Sequence, residues 1–231
     1  MIPPDFIFML TRHDRTVENA ADLVETVRTA GVRHIGFKDI GLPFAGLQVL
    51  ARAIRQAGAR MSLEVVSRDR ESELRSVRAG IALGVDYLLG GTHVDDVLRL
   101  LDGTAIRYYP FPGRINGHPS VLEGTEAEIV RSAAALAARP GVHGLDLLAY
   151  RFAGDVPALM RRVCRAVADK PVIVAGSLDR AERIRAAALA GAAGFTVGTA
   201  AFDGAFPASA DLAGQIGCIQ TILSTTILSK A

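Results

Sequence analysis

Three charged residues stand in runs that otherwise read as buried strands: Lys38 in HIGFKD, Glu64 in RMSLEVV and Asp146 in GLDLL. Strands of a parallel sheet are covered on both faces and are nearly continuously apolar, so a charge near a strand's end needs a reason. The period-two phase is the same in each run. Ile35 and Phe37 oppose Gly36 and Lys38; Met61, Leu63 and Val65 oppose Ser62 and Glu64; Leu145 and Leu147 oppose Gly144 and Asp146. In a closed barrel the large apolar residues can face the helices while the small and charged ones point inward. An ionised group there is costly unless it is paired or functional. Lys38 and Glu64 come from adjacent strands and Asp146 from across the mouth. The chemistry such a set supports is acid/base catalysis, or a Lys38 imine with a carboxylate proton shuttle, using a lysine tuned toward neutrality. An ion pair that merely fills the upper layer of the barrel is the structural alternative.

A second constellation lies in VIVAGSLDRAERIRAAALAGAAGFTVGTAAF, Val172 to Phe202. It reads as strand, glycine turn, helix, strand, glycine turn. Gly176-Ser177 and Gly198-Thr199 would present backbone N–H groups to one place, a plausible cradle for phosphate. Further polar residues follow other strands. Arg12, His13 and Asp14 follow the first, and Arg12 is a candidate substrate or phosphate contact. The longest loop, FPGRINGHPSVLEGT, carries Arg114, Asn116 and His118. It could act as a lid or clamp, with Arg114 holding a carboxylate or phosphate. His93 follows the fourth strand, and Tyr150 and Arg151 follow Asp146. His34 and His143 fall at strand starts, on the face opposite the chemistry.

These residues need eight strands to position them. The pattern predicts strands at Asp5–Leu10, His34–Lys38, Arg60–Val66, Asp86–Leu89, Ile106–Phe111, Gly144–Leu148, Pro171–Ala175 and Gly194–Val197. Between them run helices with single apolar stripes, such as Leu47, Leu50, Ile54 and Ala57. Gly31, Gly58, Gly84, Gly141 and Gly191 sit where a helix should close and a strand begin. Asp69 and Thr125 are suited to cap helices. Eight βα units fill residues 1–231 as a single (β/α)8 TIM barrel domain, an α/β fold; an open doubly wound sheet is the runner-up.

The composition narrows the function classes. Of 231 residues half are hydrophobic and 22% charged, with 26 Lys and Arg against 24 Asp and Glu, so a large core is available and no basic cluster invites nucleic acid. Cys164 and Cys218 lack metal-ligand spacing and suit reduced, packed thiols of a cytoplasmic protein. MIPPDFIFML reads as a first strand rather than a signal peptide, and no apolar run reaches the ~20 residues of a membrane helix. No metal motif is present and no cofactor is expected, although Glu64 and Asp146 leave a divalent metal open. The apolar outer helices and the tail TILSTTILSKA suit a homo-oligomer.

On AGS after strand seven and VGTA after strand eight, the chain resembles the ribulose-phosphate-binding barrel superfamily. The resemblance implies a phosphorylated small-molecule substrate and an active site inside the C-terminal rim. It does not fix the reaction, since the superfamily spans epimerases, isomerases, decarboxylases, aldolases and synthases. Strand three reads LEVVSRD, with Glu64 and no lysine, and so departs from the DxKxxD pattern of the orotidine-phosphate decarboxylase branch. The expected activity is at a carbon next to a carbonyl in a small phosphorylated sugar or sugar acid, as an isomerase or epimerase or an aldolase-type lyase. Lys38, Glu64 and Asp146 would be catalytic, with Gly176, Ser177, Gly198, Thr199, Arg114 and Arg12 holding substrate or phosphate. The alternative is a non-catalytic barrel that binds a phosphorylated metabolite and regulates a partner.

Overall fold

The computed structural model describes residues 3–228 except 68 and 210; the end of the TILSTTILSKA tail, residues 229–231, lies outside the described residues. Eight parallel strands form the barrel: β1 Asp5–Met9, β2 His34–Lys38, β3 Arg60–Val65, β4 Tyr87–Gly90, β5 Arg107–Tyr109, β6 Leu145–Leu147, β7 Val172–Val174 and β8 Gly194–Val197. Their order is β6-β7-β8-β1-β2-β3-β4-β5. The remaining seam, β5 to β6, is closed by a parallel bridge between Tyr108 and Val142. His143 N donates to Tyr108 O at 2.9 Å and Asp146 N to Pro110 O at 3.1 Å. That seam decides between the barrel and the open sheet.

Two strands keep their expected bounds, His34–Lys38 and Gly194–Val197; in the others each end moves by at most two residues. Pro110 and Pro171 lack the N–H that a ladder needs, which trims β5 and β7. Helices α1 Ala20–Thr29, α2 Phe44–Gln56, α3 Arg70–Leu83, α4 Val94–Leu101, α5 Glu126–Ala137, α6 Val156–Ala166 and α7 Ala181–Ala190 follow the first seven strands. A short α8, Thr199–Phe202, follows β8. The long α9, Leu212–Leu228, then packs on α1 and α7 and completes the outer ring. Among the described residues no helix is long and apolar enough to cross a membrane.

Local signals set these elements. Asp69 accepts from Ser72 N at 2.8 Å at the start of α3, and Thr125 forms a reciprocal capping box with Glu128 at the start of α5. Gly84 and Gly191 close α3 and α7 in the left-handed conformation that glycine adopts without strain.

The core separates into two shells, as the strand phase requires. Ile35, Phe37, Met61, Leu63, Leu145 and Leu147 join the shell between barrel and helices. Ile7, Met9, Tyr87, Leu89, Tyr109 and Ile173 form a smaller apolar cluster inside the barrel. Gly144 makes room there, because a Cβ would collide with the Tyr109 ring. At the N-terminal end His34 is buried between Asp5 (Nδ1 to Oδ2, 2.9 Å) and Ser62 (Nε2 to Oγ, 2.6 Å). It therefore lies on the face opposite the charged residues of the rim.

The α2 stripe offers a direct test of the outer shell. Leu50 is fully buried, and Leu50→Ala is expected to cost about 2–5 kcal/mol through lost transfer energy and the cavity left behind. Urea denaturation with an unchanged slope would measure it; a loss below about 1 kcal/mol would mean that this stripe does not hold α2 to the barrel.

Candidate active site

The register of β2 and β3 pairs Lys38 with Glu64 across the ladder. Both side chains point into the barrel at its C-terminal end, where Lys38 is 7% and Glu64 3% exposed. Lys38 Nζ lies 3.3 Å from Glu64 Oε1 and 2.9 Å from Asp14 Oδ1. Asp14 arrives from outside the barrel. After β1 the chain forms a small antiparallel hairpin, Thr11–Arg12 with Arg15–Thr16, whose turn residues His13 and Asp14 have φ of 51° and 59°. Two consecutive left-handed residues make the tight turn that matches strand twist, and Asp is among the residues that tolerate it. Thr16 ties this hairpin to Lys38: its hydroxyl donates to Lys38 O at 2.8 Å and accepts from Lys38 N at 2.9 Å.

Above these charges opens a cavity of about 390 Å³. Lys38, Glu64 and Asp14 line it, and so do both glycine turns through Gly176, Ser177, Gly198 and Thr199. Gly176 and Ser177 are both left-handed, with φ of 78° and 57°. Among the described residues, the N–H groups of Gly176, Ser177, Leu178 and Gly198 donate to no group of the protein. They are therefore free to bind a ligand's oxygen atoms. Gly198 must lack a side chain, since a Cβ would fall 2.8 Å from Thr11 O and 3.0 Å from Met9 O. The end of β8 is thereby held against the hairpin, where His13 N donates to the Thr199 hydroxyl at 3.1 Å.

The cation over the first turn is Arg151, from a single 3-10 turn, Ala149–Arg151, that follows β6. Its Cγ lies 2.8 Å from where a Cβ of Gly176 would be. Its Nη2 donates to Asp14 Oδ2 at 3.2 Å and its Nη1 to Ser120 O at 3.4 Å, while its buried Nε has no partner. Arg12 and Arg114 are placed otherwise. Arg12 does not line the cavity; it pairs at 2.8 Å with Asp203, which does. Arg114 sits exposed on a second hairpin, Arg114–Asn116 with Val121–Glu123, into which the long loop folds. Pro119 and Ser120 of that loop reach the cavity, but Arg114 does not. His93 is engaged by the buried Glu73, Nδ1 to Oε2, at 2.7 Å.

Asp146 is inside the barrel as expected but sealed from the cavity. It is fully buried, and neither carboxylate oxygen has a hydrogen-bond partner. Burial pushes its pKa well above the usual carboxylate range; the neighbouring Glu64 charge adds to the rise and Lys38 opposes it. Burial also raises Glu64, against the pull of Lys38. At Asp14 burial works upward too, but Lys38, Arg151 and His118 outweigh it and hold the carboxyl below its ordinary value. For Lys38, burial favours the neutral amine, yet Glu64 and Asp14 prevail and raise the pKa. The lysine is thus held as an ammonium, contrary to the neutral amine that burial alone led us to expect. Among the described residues no group of three or more His, Cys, Asp or Glu is arranged to hold a metal ion.

No family model and no curated protein sequence matches the chain. Solved structures do. A native KDPGal structure superposes with a TM-score of 0.68 at 16% identity, covering 98% of this chain and 97% of its own. Orotidine 5'-phosphate decarboxylase from Pyrococcus horikoshii gives 0.69 at 15% identity, covering 95% and 99%. (S)-3-O-geranylgeranylglyceryl phosphate synthase from Thermoplasma acidophilum, in complex with sn-glycerol-1-phosphate, gives 0.62 at 18%, covering 96% and 94%. The chain has their fold. At these identities the likeness speaks for the (β/α)8 barrel, and the resemblance read from the two glycine turns holds at that level.

Asp146 yields a test with a defined sign. Its native pKa is raised, so between that value and the ordinary 3.8 the folded chain keeps a proton that the unfolded chain releases. The stability this group contributes is full at low pH and falls as pH rises. Asp146→Asn removes the titration, so the variant is expected to gain on the natural protein between about pH 5 and pH 8 in urea denaturation. An offset equal at both pH values would show the carboxyl to be ionised in the fold.

Proposed function

We propose that the protein is an enzyme acting on a small phosphorylated carbonyl compound, such as a sugar phosphate or phosphorylated sugar acid, at a carbon next to the carbonyl. One observation carries this reading: a charged lysine and a raised glutamic acid share a cavity with two glycine turns whose N–H groups are unpartnered. The turns and Arg151 would take the phosphate. This leaves the carbonyl end over Lys38, whose ammonium would polarise the oxygen as negative charge develops there. Glu64, with its pKa raised toward neutrality, would move the proton at the adjacent carbon. Isomerisation, epimerisation and retro-aldol cleavage all pass through an enolate: in the first two Glu64 would take the proton from that carbon, and in the third it would take the β-hydroxyl proton while the C–C bond electrons form the enolate. The charged state of Lys38 in the free protein favours polarisation over imine formation, which needs the neutral amine. Two of the three structural neighbours described above carry a phosphate ester in their names, which agrees with the turns but does not choose a reaction.

Phosphorylated carbonyl compounds are expected to raise Tm where their unphosphorylated counterparts do not. Saturation at roughly 100 Kd corresponds to about 5 °C or more in a chain of this length. The shift should disappear in Ser177→Asp, which places a carboxylate in the cradle at a left-handed position that Asp accepts, and shrink in Arg151→Gln. Among ligands so identified, Lys38→Met should still bind yet lose turnover by about a hundredfold or more. Full turnover in Lys38→Met would rule this mechanism out.

A further inference from the structure

Arg183 stands in the first turn of α7, Ala181–Ala190. The helix itself gives no reason for a cation there, since the dipole favours positive charge at the other end. Its contacts lie instead on the turn after β7. Nη1 donates to Ser177 O at 2.6 Å and lies 3.0 Å from Asp179 Oδ2. The guanidinium lies over the Tyr150 ring, 4.7 Å from its centre, and the Tyr150 hydroxyl donates to Arg183 O at 3.4 Å. Tyr150 belongs to the same 3-10 turn as Arg151, which covers Gly176. The turn after β6 therefore grips Gly176-Ser177 from two sides, directly through Arg151 and by way of Tyr150 and Arg183.

These contacts fix a direction. Ser177 is a non-glycine residue with φ of 57°, a conformation that persists only where the surroundings hold it. The peptide that joins Ser177 to Leu178 is planar and trans, so its C=O and its N–H point opposite ways. Ser177 and Leu178 line the first cavity, whereas Arg183 does not. Anchoring the oxygen on Arg183 thus turns the unpartnered Leu178 N–H toward the cavity. Asp179 lines the cavity as well, and its carboxylate would repel an anion at the turn. Arg180, at 2.7 Å, and Arg183 neutralise it.

We infer that Arg183 is a positioning residue of the anion site: without touching the ligand, it holds the Ser177–Leu178 peptide so that the Leu178 N–H joins those of Gly176 and Ser177 on a phosphate group. The inference rests on the proposed phosphate site and deepens it, by giving the cradle a support from α7.

Calorimetric titration of the whole chain with inorganic phosphate tests it, with urea midpoints to show that each variant is folded. In Arg183→Met, which keeps an unbranched side chain over Tyr150 but cannot donate, affinity is expected to fall by about tenfold or more. Arg183→Lys restores a cation and a donor and should recover most of the loss. Arg180→Met removes the neighbouring cation and a partner of Asp179 but no contact to Ser177, and should cost about threefold or less. In amide NMR spectra of the natural protein, the Leu178 N–H should be among the signals that phosphate shifts. Unchanged affinity in Arg183→Met, equal losses in Arg180→Met and Arg183→Met, or a Leu178 signal unmoved by bound phosphate would overturn the positioning role and leave the anion site standing. Failure of phosphate to bind the natural protein would overturn both.

Discussion

A lysine ammonium inside a barrel must be neutralised inside it, and the arrangement of the rim follows from that demand. Lys38 is directed inward by the alternation of β2, with Ile35 and Phe37 taking the outer face. The ladder register then places Glu64 opposite it. One carboxylate whose own burial opposes ionisation is a weak counter-ion. The second, Asp14, comes from a hairpin that exists only because two residues accept a left-handed turn. Asp14 is also held by Arg151, so the charges form a continuous chain from β3 through β2 and the first hairpin to the turn after β6. Removing Lys38 leaves Glu64 without its cation and removing Asp14 leaves Arg151 without its carboxylate, so these two residues tie the four elements into one site.

The same hairpin shapes the other half of the cavity. Thr11 and Met9 crowd Gly198 so closely that a side chain there would displace backbone. The glycine is set by this packing as much as by any ligand. Arg151 does similar double service, since it pairs with Asp14 and covers Gly176. The two glycine turns and the lysine cluster are thus joined by direct contact through Asp14 and Arg151, so displacing one disturbs the other.

Much of this was legible in the sequence, for identifiable reasons. Strand phase is a local property, and period-two alternation placed Lys38, Glu64 and Asp146 inward and their apolar neighbours outward. Capping at Asp69 and Thr125 and the glycine helix ends at Gly84 and Gly191 are local in the same sense. The directions of rim side chains are not. Arg12, His13 and Asp14 are consecutive, yet the turn sends Asp14 to the lysine and Arg12 to Asp203. Arg151 was visible as a residue after Asp146, but only the 3-10 turn brings it over Gly176. Arg114 lay in the right loop and was carried away by its folding into a hairpin. The His-Asp pair flanked by TR and RT was the available signal, because both residues are enriched in left-handed turns. The charged state of Lys38 could not be derived without Asp14. Burial alone argues for the opposite.

The three acidic side chains grade with depth, and this grading gives the site its acid–base character. Asp14, on the rim and between two cations, is held ionised. Glu64, on the cavity floor with one cation beside it, is raised. Asp146, sealed below and without a hydrogen-bond partner, is pushed by its burial well above the ordinary carboxylate range. Groups of one chemical type whose environments separate their affinities for protons are how a single fold supplies both an acid and a base at one pH. Asp14 is engaged by Lys38 and Arg151 and acts as their counter-ion, while Asp146 does not touch the cavity. Glu64 alone among the three combines access to the cavity with an affinity for protons shifted toward neutrality. On the function proposed above, proton transfer would therefore be centred on Glu64, with the lysine beside it positioned to stabilise the charge that the transfer creates.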